Sequence, residues 1–209
     1  MRGRNGGGGV SPGFLFLVAV LFYLDTSGMV LLSLLSGILH EWGHYRMLRW
    51  LNNDVRAFRL TVFGARMEPE FPMNFVQEFI IAAAGPAVNL LLAVIFARVP
   101  GGAAFAGVNL ALGGFNLLPV GELDGARMLR SLLSAVFSDA QAYSMCWCLD
   151  FSFTVIISCV GIVMSVCYGN LTLLLMCLWL ILRRRGEKMW VFQKKNGKRG
   201  CQTGIKRLK

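Results

Sequence analysis

Apolar residues occur in long runs along this 209-residue chain rather than at alternating positions. A helix needs about 20 mostly apolar residues to cross the hydrocarbon core of a bilayer, and several runs reach or approach that length. A transmembrane β-barrel would instead alternate polar and apolar residues in short segments. The pattern therefore predicts the fold class of an all-α polytopic membrane protein.

About six membrane spans account best for these runs, because an even number puts both basic chain ends on the same side of the membrane. Pro119 and Gly121 interrupt the fourth span, and Pro86 lies inside the third, where neighbouring helices can satisfy the freed backbone groups. The predicted spans cover residues 12–25, 28–51, 75–97, 103–118 with a continuation over 123–137, 142–166 and 167–182.

Residues 52–74, between the second and third spans, have a different character. This segment carries charged residues and prolines, and residues 58–63 are mostly aromatic or β-branched and precede Gly64. Such a run next to a glycine predicts a short β-hairpin. We expect it to form an interfacial or re-entrant element after the second span.

The two chain ends are predicted to lie outside the membrane domain of residues 12–182. Residues 1–11 are rich in glycine and are predicted to form a disordered basic leader. Arg2 and Arg4 before an apolar run resemble a signal peptide, but no small-residue cleavage site follows convincingly. A retained first span is therefore the better interpretation.

The net charge of +10 is concentrated in residues 183–209, which hold eleven of the 21 Lys and Arg residues and one of the eleven acids. The rest of the chain holds ten of each and is neutral. A basic tail directly after a membrane span indicates the cytosolic side, and it can attract anionic lipid head groups. No nucleic-acid partner is expected. The six cysteines lie mostly in apolar runs, where cysteine behaves as a small hydrophobe.

The chain contains two histidines, His40 and His44, inside the second predicted span. Residues four apart share one face of an α-helix, so both imidazoles can reach one metal ion. Glu41 is displaced by about 100° around the helix, where it can act on a water at the metal without being a ligand. Two histidine ligands beside a glutamate base are typical of a zinc metalloprotease.

The alternative is that His40 and His44 form a polar pair that packs helices together, while Glu41 faces water. A pattern this short also occurs by chance in soluble proteins. The membrane setting favours the metal site, because ionisable groups inside a span are costly and mark functional positions.

A catalytic zinc ion needs a third protein ligand, and with no further histidine the candidates are carboxylates and cysteines. Asp124 is distinguished by its position just after the helix break at Pro119–Gly121, where irregular backbone can line a cavity. Taken alone, Asp124 fits a helix cap equally well; together with the two histidines, the ligand role is favoured. The acids considered outside loops are Glu78, Glu122, Asp124, Asp139 and Asp150.

Three segments occur in the order and spacing of a known family: His-Glu-Trp-Gly-His at 40–44, Gly-Pro-Ala-Val-Asn at 85–89, and Asn-Leu-Leu-Pro-Val-Gly-Glu-Leu-Asp-Gly at 116–125. On these segments the chain resembles the site-2 protease family of intramembrane zinc metalloproteases. The resemblance is strongest to the compact bacterial branch, which includes the enzyme that processes a pro-sigma factor during sporulation.

The resemblance implies that Asp124 is the third ligand of one Zn²⁺ per chain and that Glu41 is the catalytic base. It implies that Asn116 lies near the metal, where it can hold substrate backbone. Supporting positions are implied for Gly85, Pro86 and Asn89.

The resemblance also implies a setting and partners. The site would lie within the bacterial cytoplasmic membrane, open to cytosolic water, with both termini in the cytosol. The substrate would be a membrane protein, such as a pro-sigma factor, an anti-sigma factor or a remnant signal peptide, cleaved by regulated intramembrane proteolysis. The resemblance also allows for a regulatory membrane partner. Residues 63–66 resemble the strand of the family that could present an extended substrate by strand addition.

Two positions depart from the family pattern. Ala126 replaces a common second glycine, and Glu122 stands where an apolar residue or proline is usual. Glu122 could compete with Asp124 for the metal, tune the site or face water.

The alternative functions are a non-catalytic metal-binding protein or transporter and an inactive family member. A transporter is disfavoured because it would need further ligands along its path.

Overall fold

The computed structural model describes residues 9–61 and 64–169 of the chain. By its contacts the chain divides into two compact units, up to Cys148 and from Leu149, and the candidate site belongs to the first. The elements are β1 (Gly9–Val10), α1 (Pro12–Leu24), α2 (Met29–Trp50), β2 (Val55–Thr61), β3 (Gly64–Pro69), α3 (Phe75–Phe96), α4 (Ala103–Asn116), α5 (Asp124–Val136) and α6 (Asp139–Tyr168).

Polar side chains define where the first three helices begin. The hydroxyl of Ser11 accepts a hydrogen bond from a backbone N–H in the first turn of α1. Before α2, Asp25 accepts one from the Val30 N–H at 2.9 Å. Asn74 and Gln77 form a reciprocal capping box at the start of α3. Each of these side chains accepts from an N–H group that has no partner within its helix.

The predicted hairpin is confirmed as β2 and β3, which pair antiparallel with Phe58 opposite Met67. β1 adds a third, parallel strand on β2, with Val10 opposite Leu60. The structure therefore differs from the predicted disordered leader of residues 1–11 at the end of that segment, because Gly9–Val10 form a strand. Residues 1–8, like the tail of residues 183–209, lie outside the described part of the chain.

Helix α3 is the centre of the helical packing and contacts α2, α4 and α5. Glycines allow two of these close approaches. A Cβ added at Gly43 on α2 would stand 2.9 Å from the carbonyl oxygen of Ala84, and one added at Gly113 on α4 would stand 3.1 Å from the Cβ of Asn89. Small residues at such crossings are typical of helix packing in membranes.

Two described helices are long and apolar enough to cross a membrane, Phe75–Phe96 and Ala140–Cys167. The helices otherwise follow the predicted runs, and the predicted interruption of the fourth span separates α4 from α5. The predicted span over 142–166 is the larger part of α6. Most of the predicted span over 167–182 lies outside the described residues.

Candidate metal centre

The side chains of His40, His44 and Asp124 meet on the buried side of α2. The two Nε2 atoms are 3.1 Å apart. Asp124 Oδ2 lies 3.0 Å from His40 Nε2 and 3.2 Å from His44 Nε2. One nitrogen or oxygen atom of each residue therefore converges on a single point. This point is shielded from solvent, because each residue is at most 6% exposed.

The chain between α4 and α5 brings Asp124 to the histidines although 80 residues separate it from His44 in sequence. Gly121 has a φ of 59° in this connection, a left-handed conformation that glycine adopts without steric cost. Gly125 lies so close to the backbone of Leu117 that a Cβ would overlap the Leu117 carbonyl oxygen. Asp124 is therefore held at the first position of α5, where the helix dipole favours a negative charge.

The second ring nitrogen of each histidine is also engaged. His44 Nδ1 lies 2.7 Å from the carbonyl oxygen of Ile81, and His40 Nδ1 lies 3.0 Å from Asn89 Oδ1. A carbonyl oxygen can only accept, so His44 Nδ1 must donate its proton. His44 Nε2 then presents a lone pair to the common point, which is the arrangement that orients metal-binding histidines.

This group fits a metal ion by the chemistry of its donors. Two unprotonated nitrogens and a carboxylate oxygen repel one another unless a cation lies between them. A proton could bridge one pair of these atoms, whereas the closed triangle of three suits a metal ion. Ligands about 2.0–2.1 Å from tetrahedral zinc stand roughly 3.3–3.4 Å apart, close to the observed 3.0–3.2 Å. Among the described residues, His40, His44 and Asp124 are the group that could hold a metal.

Gly85 allows α3 to approach the two histidines. A Cβ at this position would overlap the ring of His44 and would lie 2.8 Å from His40 Cε1. The neighbouring Pro86 is fully buried within α3. The segment around Gly85 is therefore the surface of α3 that packs against the two imidazole rings.

Glu41 is half-buried beside this group. It interacts electrostatically with His44, His40, Asp124 and Arg127. Its carboxylate therefore belongs to the same electrostatic environment without being one of the three converging ligands.

Two other predicted residues lie outside the triad. Asn116 is the last residue of α4, and its Nδ2 donates to the carbonyl oxygen of Leu112 in the same helix at 3.1 Å. Glu122 is half-buried in the connection before α5 and is not in the group of potential metal ligands found among the described residues. The structure thus brings Asp124, rather than Glu122, to the histidines.

The sequence reasoning missed Arg127, whose Nη1 lies 3.4 Å from Asp124 Oδ1. The signal was available, since an acid and an arginine three positions apart on a helix are neighbours. It also missed the buried Ser36 and Asn109, which hydrogen bond to each other across two helices. No local pattern marks Ser36 and Asn109, because 73 positions separate them.

The residues of the candidate metal centre lie in a part of the chain that is similar to known proteins. The family model described as peptidase family M50 matches residues 28–101 and 102–158. A zinc metalloprotease of Methanocaldococcus jannaschii is 30% identical over 118 residues, covering 51% of this chain and 34% of the relative. Stage IV sporulation protein FB of Bacillus subtilis is 31% identical over 153 residues, covering 65% and 53%.

The fold is also similar to a solved structure. The site-2 protease from Methanocaldococcus jannaschii superposes with a TM-score of 0.61 over 83% of this chain and 85% of that chain. At 24% identity, this likeness shows the fold alone. The chain spans only about a third of the length of most curated relatives that it matches.

Proposed function

The chain belongs to peptidase family M50, whose model covers well over half of it, and on that premise we propose that it is an intramembrane zinc metalloprotease. The observation that carries this proposal is the convergence of His40, His44 and Asp124 within 3.2 Å of one another. The reaction is hydrolysis of a peptide bond within or near a transmembrane segment of another membrane protein.

The proposed roles follow from position. His40, His44 and Asp124 hold one Zn²⁺, which when bound supplies a Lewis acid and makes water a nucleophile near neutral pH. The Glu41 carboxylate takes the proton of the attacking water and passes it to the leaving amine. Arg127, on the other oxygen of Asp124, keeps that carboxylate turned toward the histidines.

The proposed setting is the bacterial cytoplasmic membrane, with about six spans over residues 12–182 and a leader and a basic tail in the cytosol. Two long apolar helices and the charge concentrated after residue 182 support it. The site would lie at membrane depth yet be reached by cytosolic water, as an ionisable cluster inside a span requires.

The proposed substrate must unwind locally before cleavage, because a helical carbonyl is hydrogen-bonded and covered by side chains. Helix-breaking residues near the scissile bond should therefore speed cleavage, and indifference to them would count against this step. A pro-sigma or anti-sigma factor is the proposed class of substrate in regulated intramembrane proteolysis. The similarity to a stage IV sporulation protein supports that class, and a regulatory membrane partner is proposed on the same ground.

Two elements are proposed to hold the substrate. Among the described residues β3 pairs with β2 alone, so its outer edge can add an extended segment. A photo-cross-linking side chain at the exposed Glu68 should capture substrate, whereas one at the exposed Leu110 on α4 should not. Asn116 is proposed to contact substrate backbone, and Asn116→Leu should raise KM while zinc content stays the same.

The test is cleavage of membrane-tethered candidate substrates by the purified, zinc-loaded chain in liposomes, comparing the native chain with Glu41→Gln. Loss of a general base slows a reaction by about 10²–10⁴-fold, so cleavage should nearly vanish while one zinc ion per chain remains bound. Unchanged cleavage by Glu41→Gln would overturn the mechanism. Zinc bound tightly without cleavage of any substrate would favour the metal-binding protein or transporter.

A further inference from the structure

A line of buried polar side chains leads away from His40 across three helices. His40 Nδ1 contacts Asn89 Oδ1 at 3.0 Å, and Asn89 Nδ2 donates to the hydroxyl oxygen of Ser36 at 3.0 Å. That hydroxyl donates to Asn109 Oδ1 at 2.9 Å. Asn109 Nδ2 then donates to the backbone carbonyl of Phe105 at 2.9 Å.

The direction of donation along these hydrogen bonds is fixed by the last one, from Asn109 to Phe105. The carbonyl of Phe105 can only accept, so Asn109 must turn its NH₂ group toward it and its oxygen toward Ser36. The Ser36 hydroxyl must then donate to Asn109 and accept from Asn89. Asn89 is left with its oxygen facing His40, and only a protonated Nδ1 can bond to it.

The two histidines are therefore held differently. His44 Nδ1 is bonded to the backbone carbonyl of Ile81, which fixes its tautomer without any other side chain. His40 is bonded to an amide that could present either its oxygen or its NH₂ group. Without Ser36 and Asn109, nothing in the line would choose between the two.

We infer that Ser36 and Asn109 are positioning residues that keep His40 protonated on Nδ1 and leave its Nε2 free to bind the metal. This inference rests on the proposed metal centre. Both side chains are fully buried, and both act through Asn89 rather than on the metal. The line thereby joins α2, α3 and α4 to the orientation of one ligand.

Polar groups between membrane helices can also serve simply to hold the helices together. The two roles differ in what a substitution changes. A packing role predicts weaker folding with an unchanged imidazole, whereas a positioning role predicts a changed tautomer of His40 beside an unchanged His44.

The tautomers can be measured directly because the chain has only two histidines. We would record ¹⁵N NMR spectra of the full chain labelled in histidine, free of metal, at about pH 9, where imidazole is neutral. In the native chain both rings should carry the proton on Nδ1. In Ser36→Ala and in Asn109→Leu, the His40 signals should shift toward a mixture of tautomers while the His44 signals stay in place.

A second substitution should restore the tautomer of His40 that is protonated on Nδ1. Asn89→Asp replaces the amide by a carboxylate, which when ionised only accepts, so His40 must donate from Nδ1 whether or not Ser36 is present. The double variant Ser36→Ala with Asn89→Asp should therefore recover the native His40 tautomer. A packing role gives no reason for this recovery, and Ser36→Thr, which keeps the hydroxyl, should behave as the native chain.

Zinc affinity gives an independent measurement by competition with a chelator. Ser36→Ala and Asn109→Leu should bind zinc about 10–100-fold more weakly, as expected for loss of a group that orients a ligand. The matched control is Asn53→Ala, which removes a buried asparagine with two hydrogen bonds to Phe71 away from the site. Asn53→Ala should lower stability and leave zinc affinity unchanged.

The outcomes separate this inference from the proposed function. A native His40 tautomer together with native zinc affinity in both Ser36→Ala and Asn109→Leu would overturn it. Failure of the native chain to bind zinc would overturn the metal centre itself, while the tautomer spectra would still show whether the line directs His40. If Ser36→Ala fails to fold, the same two measurements on Asn109→Leu decide.

Discussion

Polar side chains around the metal centre and polar side chains in α6 differ in where they find their hydrogen-bond partners. Around the metal centre several hydrogen bonds cross between helices, as from Ser36 to Asn109 or between His40 and Asn89. In α6, Thr154 and Ser158 each donate to a carbonyl four residues earlier in the same helix, at 2.7 Å. A hydroxyl bonded within its own helix makes no demand on its neighbours.

The difference shows which polar groups fix a unique arrangement. A bond between helices exists only when both helices are correctly placed, and breaking it leaves a buried group without a partner, at about 1–3 kcal/mol. A bond within one helix forms wherever that helix forms. Polarity inside an apolar helix therefore marks a site only when its partners lie on other helices.

The largest effect should come from the bond that spans the most sequence. Asp124→Asn removes the carboxylate charge shared by both histidines, and we expect zinc binding to weaken by more than about 100-fold, beyond the loss typical of an orienting group. Glu122→Gln is the matched control and should keep full zinc occupancy. Metal content of the purified variants decides, and the reverse result would move the ligand to Glu122.

The next effect should come from the helix crossing itself. Gly85→Ala puts a Cβ into the rings of His40 and His44, so zinc binding should fall sharply and unfolding should need less denaturant. Gly107→Ala, on the open side of α4, meets nothing within 4 Å. It should stabilise the helix by up to about 1 kcal/mol. Equal behaviour of the two variants would contradict the close approach at Gly85.

A smaller effect is expected for the residue that supports Asp124 from outside the triad. Arg127→Ala removes the ion pair with Asp124 Oδ1 at 3.4 Å and should weaken zinc binding about 10-fold. Arg127→Lys keeps the charge and should recover part of that loss. Chelator competition measures both, and an unchanged affinity in Arg127→Ala would show that Asp124 is held by the histidines and the metal alone.

The smallest effect is expected in α6. Thr154→Val removes a hydroxyl that bonds only to the carbonyl of Asp150 among its described contacts. The free energy of unfolding should change by less than about 1 kcal/mol, and zinc affinity should not change. A loss of zinc affinity comparable with that of Ser36→Ala would remove the distinction between the two regions.

The same distinction explains what the sequence could predict. The hairpin and the bounds of α3 followed from local patterns, namely β-branched and aromatic residues before Gly64 and an apolar run after Asn74. The spacing of His40 and His44 followed from helix geometry, and Asp124 from the helix break before it.

What the sequence could not predict depends on contacts between distant residues. The pairing of Gly9–Val10 with β2 is one example, because two residues carry no strand pattern of their own. The hydrogen bonds from Asn109 to His40 are another, since they join residues that are 49 to 73 positions apart, and neither Ser36 nor Asn109 belongs to a local motif. The break between α4 and α5 was predicted at Pro119 and Gly121, but the close contact of Gly125 with the backbone of Leu117 was not.

The most direct test of the metal centre is X-ray absorption at the zinc edge on the purified, zinc-loaded chain. The convergence of His40, His44 and Asp124 predicts a shell of nitrogen and oxygen ligands alone, at about 2.0–2.2 Å, with two imidazoles among them. Asp124→Asn should change that shell, and Glu122→Gln should not. A sulfur ligand at about 2.3 Å, from one of the six cysteines, or a shell with fewer than two imidazoles would contradict it.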